Sequence, residues 1–172
     1  AKWLEAVAFS LAANKDAELE KTADEVIALI GRAQQPDGYL NTYYTVKEPG
    51  NRWTNLRDCH ELYCAGHMME AAVAYYEATG KAELLNIMTR MAEHIDTRLG
   101  PEKEKLQGIP GHQGIELALI RMYEVTDNPL MLKLAKYFID ERGKTPSFFD
   151  IEAEKRGGTH HFPIHLLGHS YA

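Results

Sequence analysis

Cysteine is scarce. Cys59 and Cys64 are the only two in 172 residues, which excludes a disulfide scaffold. They lie five apart in a helical stretch, a poor geometry for pairing with each other. Long apolar runs are missing too. None approaches the roughly 18 residues of a membrane span, so no membrane partner is expected. Positive charge is in deficit. Lys+Arg is 19 against 25 Asp+Glu, a net charge of −6, which argues against a nucleic-acid partner. There is no phosphate loop, no dinucleotide fingerprint and no Gly-x-Ser-x-Gly elbow. The opening Ala1-Lys2-Trp3-Leu4-Glu5 is not a secretory leader. It reads as the inside of an amphipathic helix, so the chain is expected to start mid-domain. What is present is an average globular mix, 45% hydrophobic and 26% charged, which argues against disorder. The length suits one domain with a real core.

The hydrophobic pattern is helical nearly throughout, so the expected fold class is all-α. Trp3, Leu4, Val7, Ala8 and Leu11 follow the spacing of one helix face. Asp16 caps a second helix that runs to about Ala33. Pro36-Asp37-Gly38 is a turn signal, and a polar, aromatic loop extends from Gln34 to Arg57. Loops of that length are often functional. Helical spacing returns at Asp58 and lasts to Thr79, where Gly80 closes it. A further helix opens at Lys81 and ends at Gly100-Pro101. Helices are also predicted from His112 to Thr126, and from Pro129 to Arg142-Gly143. Residues 143–163 read as irregular, and a last helix as beginning near Ile164. The one candidate strand is a short ribbon around Leu40–Tyr44.

An internal repeat organises these helices. Tyr76-Glu77-Ala78-Thr79 and Tyr123-Glu124-Val125-Thr126 sit 47 residues apart. Each ends one helix and precedes another, marked by Leu84-Leu85 or Met131-Leu132. The unit is a helical hairpin of roughly 45 residues, longer than a tetratricopeptide unit, which suggests a solenoid or a closed toroid of hairpins. Gly-His recurs at Gly66-His67, Gly111-His112 and Gly168-His169. In a toroid the first helices of all hairpins run parallel. Histidines at their equivalent ends would converge on one rim and a common pocket.

His60, Cys64 and His67 share a helix face at i, i+4, i+7 spacing. They offer zinc-type ligands or a polar pocket wall, although spacing alone favours a packed helix with hydrogen-bonded histidines. His112 stands at a loop-to-helix junction, where it either caps the helix or meets a substrate hydroxyl. His160, His161 and His165 carry no assigned role. The Gln34–Tyr44 loop, with Arg52-Trp53-Thr54-Asn55, has the amides, hydroxyls and aromatics that sugar sites need. A lid without ligand contact has the same composition. Glu61, Glu70 and Glu116 are candidate buried carboxylates. Nothing in their spacing fixes a glycosidase pair, and the matched places of Glu70 and Glu116 in the two repeats favour a structural role.

Several long motifs now add up. They are Gln34-Gln35-Pro36-Asp37-Gly38-Tyr39-Leu40-Asn41-Thr42-Tyr43, Arg52-Trp53-Thr54-Asn55-Leu56 and His60-Glu61-Leu62-Tyr63-Cys64-Ala65-Gly66-His67. Pro110-Gly111-His112, Ile115-Glu116-Leu117-Ala118-Leu119 and Leu134–Gly143 continue the series. Together they resemble glycoside hydrolase family 127, from about Lys2 to Gly143. The resemblance implies an (α/α)6 barrel followed by β-sandwich domains, with residues 1–172 a partial barrel catalytic domain. It implies a retaining β-L-arabinofuranosidase acting on arabinose-containing plant-type glycans, with a zinc-held cysteine nucleophile and a glutamate acid/base. By motif position His60, His112 and His169 look like histidines that hydrogen-bond the sugar. In the family the nucleophile, zinc cluster and acid/base lie in the second half of the barrel. Zinc is therefore expected in the complete enzyme, and no metal ligand is assigned within these residues. Neither Cys59 nor Cys64 inherits the nucleophile's role.

The chain departs from the family pattern in three places. The family's N-terminal segment is missing, the stretch before Gly168-His169 is short, and Ser170-Tyr171 differ. The chain by itself is expected to be inactive. Half a barrel would expose apolar hairpin faces at two open edges, which makes self-association into a homo-oligomer one expectation. Cytoplasmic and periplasmic or secreted locations of bacterial type both stay open. Two other readings remain beside the hydrolase. One is a metal-free sugar epimerase or isomerase with a histidine pair as acid and base. The other is a non-enzymatic helical-repeat scaffold.

Overall fold

Asp16 shows how local chemistry sets the helices of the computed structural model, which describes residues 1–158 and 160. Its carboxylate accepts the backbone N–H groups of Glu18 at 3.1 Å and Leu19 at 3.0 Å, satisfying donors that a helix start leaves open. Asn41, Asn128 and Ser147 cap their helices in the same way. Eight α-helices result among the described residues: α1 (Lys2–Ala13), α2 (Ala17–Ala33), α3 (Thr42–Val46), α4 (Glu61–Thr79), α5 (Glu83–Arg98), α6 (Ile115–Thr126), α7 (Pro129–Arg142) and α8 (Phe148–Arg156). A 3-10 turn at Pro49–Asn51 interrupts the loop between α3 and α4. Among the described residues there is no strand, only an isolated bridge between Leu99 and Leu106.

The packing partners define two layers. The hairpin pairs are α1 with α2, α4 with α5, and α6 with α7. The first helices α1, α4 and α6 pack side by side as an inner layer, and α2, α5 and α7 form an outer one. This is an arc of a helical toroid, three hairpins long. The central inner helix α4 packs against α1, α5 and α6 and is buried at Leu62, Ala65, Met69 and Val73. Burying the Leu62, Met69 and Val73 side chains contributes about 1.5–3 kcal/mol each. At the two ends of the arc, Trp3 and Phe9 on α1, Leu117 on α6 and Ile139 on α7 remain exposed.

The 47-residue repeat is a repeated turn. The Thr79 hydroxyl donates to the Tyr75 carbonyl at 2.6 Å and accepts the Lys81 N–H at 3.2 Å. The Thr126 hydroxyl donates to the Met122 carbonyl at 2.6 Å and accepts the Asn128 N–H at 3.3 Å. Each threonine thereby ends an inner helix and starts the reversal into its outer partner.

Four sequence expectations are corrected. The ribbon at Leu40–Tyr44 is instead the short helix α3, because Asn41 accepts from the N–H groups of Tyr43 and Tyr44 and nucleates a turn. Part of the irregular stretch is α8, which Ser147 starts by accepting from Phe149 N–H at 3.3 Å. The inner helices α4 and α6 begin three residues later than periodicity suggests, at Glu61 and Ile115. Finally, Gly66-His67 lies within α4 and is not equivalent to Gly111-His112, which precedes α6. A Cβ at Gly66 would stand 3.0 Å from Ile115 Cα, so this glycine allows the close approach of α4 and α6. The helix expected near Ile164 lies outside the described residues, as do His161, His165 and His169.

Candidate functional site

Two histidines meet at the start of the inner helices. His60 is the residue before α4 and His112 lies three before α6. Their Nε2 atoms are 3.2 Å apart and their ring centroids 5.1 Å apart. One ring donates in this contact and the other accepts. Tyr63, one turn into α4, stands among the histidines. Its ring centroid is 5.8 Å from that of His60, 5.2 Å from His112 and 4.5 Å from His67. At this rim His112 is met by His60 rather than by His67, and His169 lies outside the described residues. His67 joins from one helical turn deeper, through Tyr63.

The rim loops are held by close backbone approach. A Cβ at Gly111 would stand 2.0 Å from the Arg57 carbonyl oxygen, so only glycine lets the loop before His112 lie against the loop before His60. Each loop is also held by a glutamate in the first turn of the helix that follows. Glu116 accepts from Gly114 N–H at 2.9 Å and pairs with Arg142 at 2.9 Å. Arg142 also donates to the Pro110 carbonyl at 3.3 Å. On the other side, Glu61 is buried at 3% exposure. It accepts the Trp53 N–H at 2.7 Å and the Tyr39 hydroxyl. Burial outweighs these bonds and raises its carboxyl pKa.

The loop aromatics turn inward. Tyr39, Tyr44 and Trp53 are buried, and only Tyr43 is largely exposed. The Trp53 indole donates to His94 Nε2 at 3.2 Å, and His94 Nδ1 lies 2.9 Å from the Asp37 carbonyl. That arrangement needs a neutral imidazole with its proton on Nδ1, in keeping with the burial that lowers the His94 pKa. Arg52 lies 4.1 Å over the Tyr39 ring. The sugar-like composition of this loop thus serves its own core. Aromatic type alone gave no sign of which way the rings would face.

The other carboxylates are engaged as well. Glu70 of α4 pairs with Arg121 of α6, tying two inner helices together. This agrees with the structural role expected for Glu70 and Glu116. Cys59 is half-buried and Cys64 exposed. Cys59 packs against the core, and desolvation pushes the Cys64 thiol pKa up, the reverse of an activated thiolate. Among the described residues no group of three or more His, Cys, Asp or Glu side chains is placed to hold a metal ion. These residues do not fit the zinc site that the resemblance implies.

The inner helices thus form an arc, with two imidazoles meeting at the leading ends of α4 and α6. The family model described as "Beta-L-arabinofuranosidase, GH127 catalytic domain" matches residues 1–165, and the chain belongs to this family, glycoside hydrolase family 127. It is 42% identical over 171 residues to the non-reducing end β-L-arabinofuranosidase of Bifidobacterium longum subsp. longum, covering 97% of this chain and 26% of that protein. Among solved structures, a GH127 β-L-arabinofuranosidase from Geobacillus stearothermophilus is 63% identical with a TM-score of 0.85, over 92% of this chain and 25% of that one. The GH127 β-arabinofuranosidase BT3674 is 38% identical with a TM-score of 0.78, over 83% and 24%. The chain therefore spans about a quarter of the length of these relatives. No helix among the described residues is long and apolar enough to cross a membrane.

Proposed function

We propose that this chain is part of the barrel catalytic domain of a β-L-arabinofuranosidase, and that it supplies one wall of the sugar site. His60 and His112 hydrogen-bond hydroxyls of the arabinofuranosyl unit of an arabinose-containing glycan. The supporting observation is the 3.2 Å approach of their Nε2 atoms at the starts of adjacent parallel helices. Two imidazoles side by side offer both a donor and an acceptor, which a sugar hydroxyl needs. His169 is proposed as a third sugar ligand on motif position alone.

Bond cleavage is not assigned to these residues. Glu61, Glu70 and Glu116 are each committed to a buried donor or an arginine. Cys64 carries a raised thiol pKa. Zinc and the cysteine nucleophile, as the family implies them, belong with residues other than those described. The test is titration of the 172-residue chain with methyl β-L-arabinofuranoside, followed by NMR. Shifts centred on residues 60–67 and 110–115, abolished by His60→Ala and by His112→Ala, are expected. No shift in the unmodified chain, or the same shifts in both variants, would overturn the proposal. Hydrolysis of an arabinofuranoside by the chain alone would refute the absence of a nucleophile from it.

A further inference from the structure

We infer that Glu61 is a positioning residue for the histidine pair, acting through a closed hydrogen-bonded ring of the loop before α4. This rests on the sugar-site reading for its purpose, but its geometry stands independently. The ring runs from Trp53 to Glu61. It closes where the Glu61 carboxylate returns to accept the Trp53 N–H at 2.7 Å. Inside it, Cys59 N–H donates to the Asn55 carbonyl at 3.1 Å, and Asp58 N–H to Asn55 Oδ1 at 3.1 Å. His60 is the last residue before the closure. Its carbonyl accepts from Cys64 N–H at 2.9 Å, so the backbone is held on both sides of its ring.

The backbone of the ring is strained at its two ends. Trp53 has φ 61° and His60 has φ 57°, in the left-handed region that non-glycine residues avoid. Such residues persist only where their surroundings over-determine them. Here the surroundings are the Glu61 network. The carboxylate also accepts the hydroxyl of fully buried Tyr39. Trp53 is fastened through its indole to His94 of α5, and His94 to the Asp37 carbonyl. Gln34 donates to the Gly38 and Ile87 carbonyls at 2.8 Å each, fixing the start of the same loop to α5. The path therefore runs from the outer helix α5, through the loop, to the backbone that carries His60. His60 itself has no side-chain capping bond to hold it. Its ring meets His112 because the backbone is turned there.

The experiment uses the full 172-residue chain with labelled histidines. The readouts are the nuclear Overhauser contact between the His60 and His112 rings and the far-UV circular dichroism. Glu61→Ala is expected to abolish the ring contact while helix content is retained. Glu61→Gln, which can still accept from Trp53 and bond Tyr39, is expected to restore it to at least half of its original intensity. An unchanged contact in folded Glu61→Ala, or equal loss in both variants, would overturn the inference. If Glu61→Ala does not fold, Tyr39→Phe carries the test. It deletes one hydroxyl and should weaken the contact at least twofold, and an unchanged contact would again overturn the inference. If arabinofuranoside shifts nothing in the unmodified chain while Glu61→Ala still separates the rings, the sugar reading fails and the positioning role stands.

Discussion

The two histidines of the rim are held by unlike devices. The His60 loop hangs on a buried carboxylate whose partners are a phenol and a backbone amide. The His112 loop hangs on Glu116 and Arg142, a charged pair whose side chains are 12% and 21% exposed. Both glutamates stand at the same place, the first turn of an inner helix, although the 47-residue repeat does not match them. What differs is the cover above it. The 27-residue segment between α2 and α4 folds Tyr39 and Trp53 over Glu61, whereas the shorter connection before α6 leaves Glu116 near solvent and gives it an arginine. Hydrogen bonding in a dry site gives a clamp insensitive to salt, while an ion pair near water gives one that salt weakens.

The largest expected effect falls on the buried side. Glu61→Ala leaves the Trp53 N–H and Tyr39 hydroxyl without their acceptor and should cost about 3 kcal/mol in denaturant unfolding. Glu61→Gln should cost less than about 1 kcal/mol. Equal losses would erase the distinction between hydrogen-bond geometry and charge. Next comes the exposed clamp. Glu116→Gln combined with Arg142→Met in a double-mutant cycle should show a coupling of about 1 kcal/mol. That coupling should shrink in about 1 M salt, where the screening length is about 3 Å. A salt-independent coupling would make the two clamps alike.

The pH dependence sharpens the same contrast. Burial holds the Glu61 pKa above its ordinary value of 4.5. The fold thus binds this proton more tightly than the unfolded chain does. The stabilisation from Glu61 is complete below pH 4.5 and is lost as pH rises through the raised folded value. The stability difference between the unmodified chain and Glu61→Gln should accordingly fall as pH rises from 4.5. A flat difference would remove the buried-carboxyl argument. The smallest stability effect is expected at the histidines. His60→Ala and His112→Ala should change stability by less than about 1 kcal/mol. Their effect should appear in the arabinofuranoside titration instead. A large loss of stability would make them structural.

Much of this was legible in the sequence because it is local. Caps such as Asp16 and Asn128, the Gly80 stop and the threonine turn of the repeat all act within four residues. The periodicity of Leu4, Val7, Ala8 and Leu11 marks a buried helix face directly. Hairpins at a fixed period imply an arc, and long motifs disclosed the family. The two inner helices nevertheless start later than their periodicity suggests. Apolar spacing continues into loop residues that close approach and left-handed backbone hold out of the helix. The short helix α3 was missed because a five-residue element has too few turns for a periodic signal.

By itself, then, the sequence determined the helices, their pairing into hairpins and the residue types at the rim, since each follows from neighbours along the chain. Only the tertiary structure decided which histidines meet and which way the aromatics face. His60 and His112 are 52 residues apart, and Tyr39 and Glu61 are 22 apart. Nothing local encodes either distance. The first depends on Gly66 and Gly111 letting two segments of backbone touch. The second depends on a buried carboxylate that accepts from the Tyr39 and Trp53 donors, which the dry interior would otherwise leave unpartnered.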